Sequence, residues 1–147
     1  YPRRCSRMSM VARRGPHPPV VVRRSAEDYL ETMLILEQRL GYIRSIDIAN
    51  EMKVKKPSVT YATKRLREDG YITMDDQSRI FLTETGRGIA TRIYGRHTAL
   101  SSLFIALGVD REIAFQDACR IEHDLSSESF AAICRYIKLN PPGAEKP

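Results

Sequence analysis

The chain has 147 residues, 42% of them hydrophobic, which is enough for one packed domain or for two small subdomains that share a core. No apolar run is long enough to span a membrane, and three cysteines are too few for a disulfide framework. These features argue against a membrane protein and against a disulfide-rich secreted protein. We therefore expect a cytoplasmic protein without a membrane partner.

The formal net charge of +6 is unevenly distributed. Residues 1–24 contain seven arginines and no acidic residue, so the rest of the chain is close to neutral. The same segment contains Gly15-Pro16-His17-Pro18-Pro19 and has no sustained hydrophobic period, which predicts a disordered basic tail. Residues 44–70 carry a second, local excess of positive charge. Such a segment suits phosphate binding, although a solvated helix face has a similar composition.

The first half of the chain predicts three helices and two short strands. Ser25-Ala-Glu-Asp28 resembles a capping box at the start of a helix that Gly41 ends. Pro57 suits the first position of the third helix, and two short β-rich runs flank a polar turn. In chain order, the predicted elements are helices over 25–40, 45–52 and 57–69 and strands over 71–74 and 79–82.

The second half predicts three more helices, so the fold class is mainly α. Thr83 caps a long helix that runs to about Leu107, where Gly108 ends it. The hydrophobic periodicity then predicts helices over 110–125 and 126–139, followed by a flexible tail over 140–147.

The order of helix, helix, tight turn, helix and β-hairpin is typical of a winged helix-turn-helix domain, here residues 25–83. The third helix then lies in the major groove of double-stranded DNA, which admits one α-helix. Residues at its start would meet base edges, and nearby cations would contact phosphates. The base-edge candidates are Lys55, Pro57, Ser58, Thr60 and Tyr61, and the phosphate candidates are Lys64, Arg65, Arg44 and Arg79.

Cys119-Arg-Ile-Glu122-His123 places three metal-binding side chains on one predicted helical face, at positions i, i+3 and i+4. A thiolate, a carboxylate and an imidazole together can bind a divalent transition metal. Each residue alone has an ordinary structural explanation, because a free cysteine is commonly a small buried hydrophobe and a single histidine is commonly a surface or core residue.

Several stretches, taken in order, make residues 25–139 resemble the iron- and manganese-dependent repressors, the family of the diphtheria toxin repressor and the manganese transport regulator (DtxR/MntR). The stretches are Ser25–Ala49, Pro57–Gly70, Leu82-Thr-Glu-Thr-Gly86, Arg96-His97 and Cys119-Arg-Ile-Glu-His-Asp-Leu-Ser126. The resemblance implies a homodimeric, metal-activated transcriptional regulator, a repressor of metal-uptake genes, in which residues 84–139 form a helical metal-binding and dimerisation region. It implies these metal ligands: Asp28, Glu31, His97, Cys119, Glu122 and His123.

The ligand set combines features of the two branches of this family. The manganese branch typically has Glu where Cys119 stands, and the iron branch typically has Met where Asp28 stands. We expect Mn²⁺ or Fe²⁺ as the activating ion, with Co²⁺, Ni²⁺ or Zn²⁺ as substitutes, because thiolate favours softer ions and carboxylate harder ones. The expected arrangement is one site made of Asp28, Cys119, Glu122 and His123 and a second that uses Glu31 and His97. The ancillary iron-branch site is expected to be absent, since Ser101 and Phe115 stand where that branch has Glu and His.

Alternative interpretations of the sequence assign a different function to Cys119, Glu122 and His123. A winged-helix regulator could sense oxidation or a small ligand through Cys119 without metal activation. A structural zinc site is a second alternative. A hydrolase using Cys119 and His123 is a third, but no nucleophile turn or phosphate loop accompanies these residues, so we expect no enzyme.

The iron branch continues into an SH3-like domain beyond a Pro/Gly-rich linker, so the chain is either a short regulator or a truncated one. Candidate dimer contacts, which could equally be intrachain core, are Leu103, Phe104, Ile113, Phe115, Phe130, Ile133 and Ile137.

Overall fold

A computed structural model describes residues 24–139 as six helices and one two-stranded antiparallel sheet. The elements are α1 Arg24–Leu40, α2 Ser45–Met52, α3 Lys56–Glu68, β1 Ile72–Met74, β2 Ile80–Leu82, α4 Glu84–Ala106, α5 Arg111–Ile121 and α6 Ser127–Leu139. The prediction of a mainly helical winged fold is confirmed. The predicted basic tail, apart from its last residue, and the predicted flexible tail over 140–147 lie outside the described residues.

Helix α1 is the central element of the DNA-binding half. Its apolar residues recur at helical spacing, and Leu30 and Met33 are fully buried. The helix ends where Gly41 adopts a φ of +79°, a left-handed conformation that costs glycine little. The predicted cap at Ser25 is wrong, because Arg24 is already helical and Ser25 lies inside the first turn.

Helices α2 and α3 form the helix-turn-helix. Lys53, with a φ of 54°, ends α2, and Pro57 lies in the first turn of α3. Val59, Thr63 and Leu66 face inward, Ala62 packs against the core beside them, and Thr60, Tyr61 and Lys64 are exposed. This periodicity leaves one side of α3 free to enter a DNA groove.

The wing is shorter than predicted. Its strands pair Ile72 with Leu82 and Met74 with Ile80. β1 begins one residue later than predicted: the Tyr71 N–H donates to Leu66 O (2.9 Å) at the end of α3, while the Tyr71 carbonyl accepts from Thr83 N (3.0 Å). The chain at the edge of the wing is bonded in turn to the segment before α2, through Ile80 N to Ile43 O at 2.9 Å.

Helix α4 connects the wing to the helical half. As predicted, Thr83 caps it, because the Thr83 hydroxyl accepts from Gly86 N at 3.1 Å. The predicted helix over 110–125 is too long: α5 ends at Ile121, and a turn carries Glu122 and His123 before α6 begins. His123 therefore leaves the helical face that it was expected to share with Cys119.

None of the seven predicted dimer contacts is fully buried within the described part of one chain. Ile113 is 52% exposed, and the other six are half-buried. In addition, Ile105 and Leu107 expose large apolar side chains at the end of α4. Among the described helices, none has the length and apolar character that crossing a membrane requires.

Candidate metal centre

The predicted ligands lie where the start of α1, the middle of α4 and the end of α5 meet. Helix α4 packs against both α1 and α5, which brings residues almost 100 positions apart in the chain into contact. Two groups of metal-binding atoms form there, each with its atoms within 4.8 Å of one another.

The first group, called here the Asp28 cluster, consists of Asp28, Glu122 and His123. His123 Nε2 lies 2.8 Å from Asp28 Oδ1 and 3.3 Å from Glu122 Oε1. Both His123 Nε2 and Glu122 Oε1 are buried, yet neither makes an aligned hydrogen bond. Two ligands of one divalent ion with bonds of about 2.1 Å are separated by about 3 Å, so these spacings fit a shared cation.

The second group, called here the Cys119 cluster, consists of His97, Cys119 and again Glu122. His97 Nδ1 lies 3.0 Å from Glu122 Oε2 and 3.7 Å from Cys119 Sγ. Glu122 is 0% exposed and directs one oxygen toward each cluster. Its carboxylate is therefore placed to bridge the two groups.

The clusters differ from the predicted grouping. Cys119 was expected beside Asp28 and His123, but its thiol faces His97 instead. The reason is that α5 ends at Ile121, so Cys119 remains on the helix facing α4 while His123 turns toward α1. Phe115 lies beside His97 as a ring neighbour, with centroids 5.8 Å apart.

Glu31 belongs to neither cluster, although its carboxyl group contacts that of Glu122. Burial raises the pKa of Glu31 to about 8, and the charge of Glu122 and a hydrogen bond between the two carboxyls act in the same direction. A hydrogen bond between two carboxyl groups requires a proton on one of them. Glu31 can supply an additional carboxylate only after losing that proton.

Two further pKa shifts describe the centre without metal. Hydrogen bonds with Cys119 and then with Glu122 raise the pKa of His97 to about 10. Burial raises the pKa of Asp28, and the contact with His123 offsets part of this rise. Protons on these groups reduce the repulsion among carboxylates that share one junction.

Proton release on metal binding follows from these shifts. Glu31 and His97 carry protons at neutral pH and must lose them to act as ligands, so we expect the apparent Mn²⁺ affinity to rise with pH, up to about pH 8 for the proton of Glu31 and on toward about pH 10 for that of His97. Calorimetric titration in buffers of different ionisation enthalpy measures the protons released. Glu31→Gln should release fewer protons than the parent protein. Equal release by both proteins, or affinity independent of pH, would contradict the assignment.

Two residues at the centre were not predicted. Glu27 accepts a hydrogen bond from His123 at 2.7 Å and pairs with Arg92. Arg96 is 4% exposed and donates to the carbonyls of Glu122 (3.0 Å) and Leu125 (2.7 Å), which holds the turn after α5 in place. In the sequence, Glu27 was visible only as one acid of the supposed capping box.

The predicted DNA contacts lie on one side of the helix-turn-helix and on the wing. Tyr61 is 64% exposed, and its hydroxyl lies 3.4 Å from an Arg65 nitrogen. The two predicted phosphate contacts outside α3 are ion-paired: Arg44 with Asp47 at 3.0 Å, and Arg79 with Asp75 at 2.8 Å. Arg65 is half-buried, and the remaining candidates, Lys55, Pro57, Ser58, Thr60 and Lys64, are exposed.

Two family models match consecutive parts of the chain. Residues 22–78 match the N-terminal DNA-binding domain of the iron dependent repressors. Residues 83–142 match the metal binding and dimerisation domain of the same repressors. The first model ends in the turn of the wing, before β2, and the second begins at Thr83, just before α4.

Individual relatives agree with the family models. The HTH-type transcriptional regulator MntR of Lysinibacillus sphaericus is 33% identical over 115 residues, covering 78% of this chain and 83% of that protein. The regulator of the same name from Bacillus subtilis is 36% identical over 109 residues, covering 74% and 77%.

Solved structures show the same fold. The manganese regulator SloR superposes with a TM-score of 0.68, at 25% sequence identity over 77% of this chain. T. acidophilum IdeR also superposes with a TM-score of 0.68, at 25% sequence identity over 82% of this chain. The chain spans 53% of the SloR chain and 62% of the IdeR chain. The resemblance noted in the sequence is thus confirmed: the chain belongs to the iron-dependent repressor family, and it is a metal-responsive, DNA-binding transcriptional regulator.

Proposed function

We propose that this protein is a homodimeric repressor of metal-uptake genes, and that Mn²⁺ or Fe²⁺ activates its binding to a double-stranded operator. The ligands proposed are Asp28, His97, Cys119, Glu122 and His123, with Glu31 joining them once deprotonated. Relatives named MntR and a structural neighbour described as a manganese regulator support Mn²⁺, while the family description supports iron. Co²⁺, Ni²⁺ and Zn²⁺ are proposed as substitutes because they accept the same donor atoms.

One observation carries this proposal: the Asp28 cluster joins the DNA-binding half to the helical half, and it shares Glu122 with the Cys119 cluster. Asp28 comes from α1, whereas Glu122 and His123 come from the turn after α5. Helix α1 also packs against α2 and α3, so its position determines the position of α3, which is the recognition helix predicted to enter the major groove. An orientation set at the clusters is therefore transmitted to the DNA-binding surface.

Carboxyl groups crowd this junction, and in their ionised form they repel one another when no cation is bound. Asp28, Glu31 and Glu122 bring three carboxyl groups together, and the pKa values of Asp28 and Glu31 are raised. A bound divalent cation supplies positive charge and directional bonds to these groups. With the carboxylates held, α1 keeps one orientation on α4 and α5, and the two recognition helices of a dimer keep one spacing. Less conformational freedom is then lost on binding DNA, and operator affinity rises.

The direct test is operator binding with and without metal. A duplex selected from a random library in the presence of Mn²⁺ serves as the probe, and anisotropy gives its Kd with Mn²⁺, with anaerobic Fe²⁺ and with chelator. We expect each metal to strengthen binding, on the order of 5- to 150-fold. Equal affinity in all three conditions, or failure to select any sequence, would refute metal activation.

Cys119 is predicted to bias the choice of metal. A thiolate favours Fe²⁺, Co²⁺ and Zn²⁺ over Mn²⁺, so Cys119→Glu should shift the ratio of Co²⁺ to Mn²⁺ affinities toward Mn²⁺. The parent protein loaded with Co²⁺ should also show a thiolate-to-cobalt absorption band that Cys119→Glu loses. Cys134→Ser is the matched control, because Cys134 lies on α6 and belongs to neither cluster. An unchanged ratio in Cys119→Glu would show that the thiol does not bind the metal.

A further inference from the structure

Glu27 connects three parts of the centre through one carboxylate. Its Oε2 lies 2.7 Å from His123 Nδ1, in the turn after α5, and its Oε1 lies 3.1 Å from Arg92 Nη2, on α4. The side chains of Glu27 and His123 are 10% and 3% exposed, so water has little access to this contact. The first turn of α1 is thus bonded to both neighbouring segments.

The contact determines how the His123 ring is oriented. The Glu27 carboxylate accepts from Arg92 through one oxygen, and its other oxygen accepts the N–H of His123 Nδ1. With the proton held on Nδ1, Nε2 offers its lone pair, and Nε2 is the atom that faces Asp28 (2.8 Å) and Glu122 (3.3 Å). Arg92 binds the other oxygen of Glu27 and so prevents the carboxylate from rotating away.

We propose that Glu27, held by Arg92, is a positioning residue for the Asp28 cluster. It sets the tautomer and orientation of His123 and thereby raises the affinity of the cluster for a divalent cation. Carboxylates hydrogen-bonded to metal-binding histidines have this effect in general, and their loss weakens metal binding about 10- to 100-fold. This inference rests on the proposed function, since it takes the Asp28 cluster to be a metal site.

A simpler explanation is that Glu27 only ties α1 to α4 by an ion pair, and the chain contains a comparison for it. Glu37, also on α1, pairs with Arg87 of α4 through both carboxylate oxygens at 2.9 Å. Neither Glu37 nor Arg87 belongs to a metal-binding cluster. Replacing Glu37 therefore removes an ion pair between α1 and α4 without altering a proposed metal ligand.

The test measures Mn²⁺ affinity of the full chain in the absence of DNA. We expect Glu27→Ala to weaken Mn²⁺ binding by about 10- to 100-fold, and Glu27→Gln to lose less, because the amide oxygen still accepts from Nδ1. Glu37→Ala should bind Mn²⁺ like the parent protein. If Glu27→Ala does not fold, Glu27→Gln against Glu37→Gln decides the question.

A second measurement reports on the imidazole itself. In the parent protein loaded with Zn²⁺, NMR should show a slowly exchanging proton on His123 Nδ1, and Glu27→Ala should lose its protection. Equal Mn²⁺ affinities in the Glu27 and Glu37 variants, or an unchanged exchange rate, would overturn the proposal. A parent protein that fails to bind Mn²⁺ would instead refute the proposed function, so the two failures are distinguishable.

Discussion

Glu122→Gln is expected to abolish the metal response of DNA binding. Glu122 is the residue that belongs to both clusters among the described residues, and a neutral amide is a weak ligand that cannot bridge two cations. Operator affinity measured with Mn²⁺ should fall to the metal-free value, a loss on the order of 5- to 150-fold. Anisotropy with the selected duplex measures this loss, and a direct titration should show weaker Mn²⁺ binding.

The control for this variant is Asp124→Asn, which removes a carboxylate two positions away. The side chain of Asp124 is 74% exposed and lies 3.8 Å from Arg24, outside both clusters. It should keep the full response to Mn²⁺. Circular dichroism of the metal-free proteins checks that Glu122→Gln remains folded, since glutamine has nearly the same volume. A normal Mn²⁺ response in Glu122→Gln would mean that the sensing site lies elsewhere.

Gly86→Ala should produce a large loss of stability. A Cβ at Gly86 would overlap the carbonyl oxygen of Tyr71 and would lie 2.9 Å from its carbonyl carbon. These two atoms belong to the backbone, and the Tyr71 carbonyl already accepts from Thr83 N at 3.0 Å. The carbonyl group therefore cannot move aside without separating α4 from the wing. Overpacking typically costs about 1–3 kcal/mol, and overlap with backbone atoms places Gly86→Ala at the upper end of this range. Urea unfolding at fixed protein concentration measures the change in free energy of unfolding.

Gly88→Ala is the matched control, two residues further along the same helix. No atom lies within 4 Å of a Cβ built there, so alanine meets no obstacle. Alanine is favoured over glycine inside a helix by about 1 kcal/mol, so the variant should be slightly more stable than the parent. Similar destabilisation by both substitutions would show that the close approach to Tyr71 is not the cause.

Local sequence signals predicted most of the elements correctly. Helical periodicity, the Thr83 cap and the breaks at Gly41 and Gly108 depend on residues within a few positions of one another. Two of the errors occur where a contact outside the local pattern intervenes. The Tyr71 N–H donates to Leu66 O of α3 just before β1 begins, and α5 stops at Ile121, beyond which Arg96 of α4 binds the carbonyls of the turn.

The sequence also showed which residue types could bind metal and that Cys119, Glu122 and His123 are closely spaced, because this chemistry is a property of each side chain. The sequence did not show which of these residues contact one another. Which of them faces α1 and which faces α4 depends on the packing of three helices, and this packing joins Cys119 to His97 and His123 to Asp28. In the sequence, Glu27 and Asp28 are equivalent acids near the start of a helix. The family resemblance selects Asp28 as a ligand, but only the tertiary structure shows what each acid contacts, because one helical step of about 100° directs Asp28 to His123 Nε2 and Glu27 to Nδ1 of the same ring.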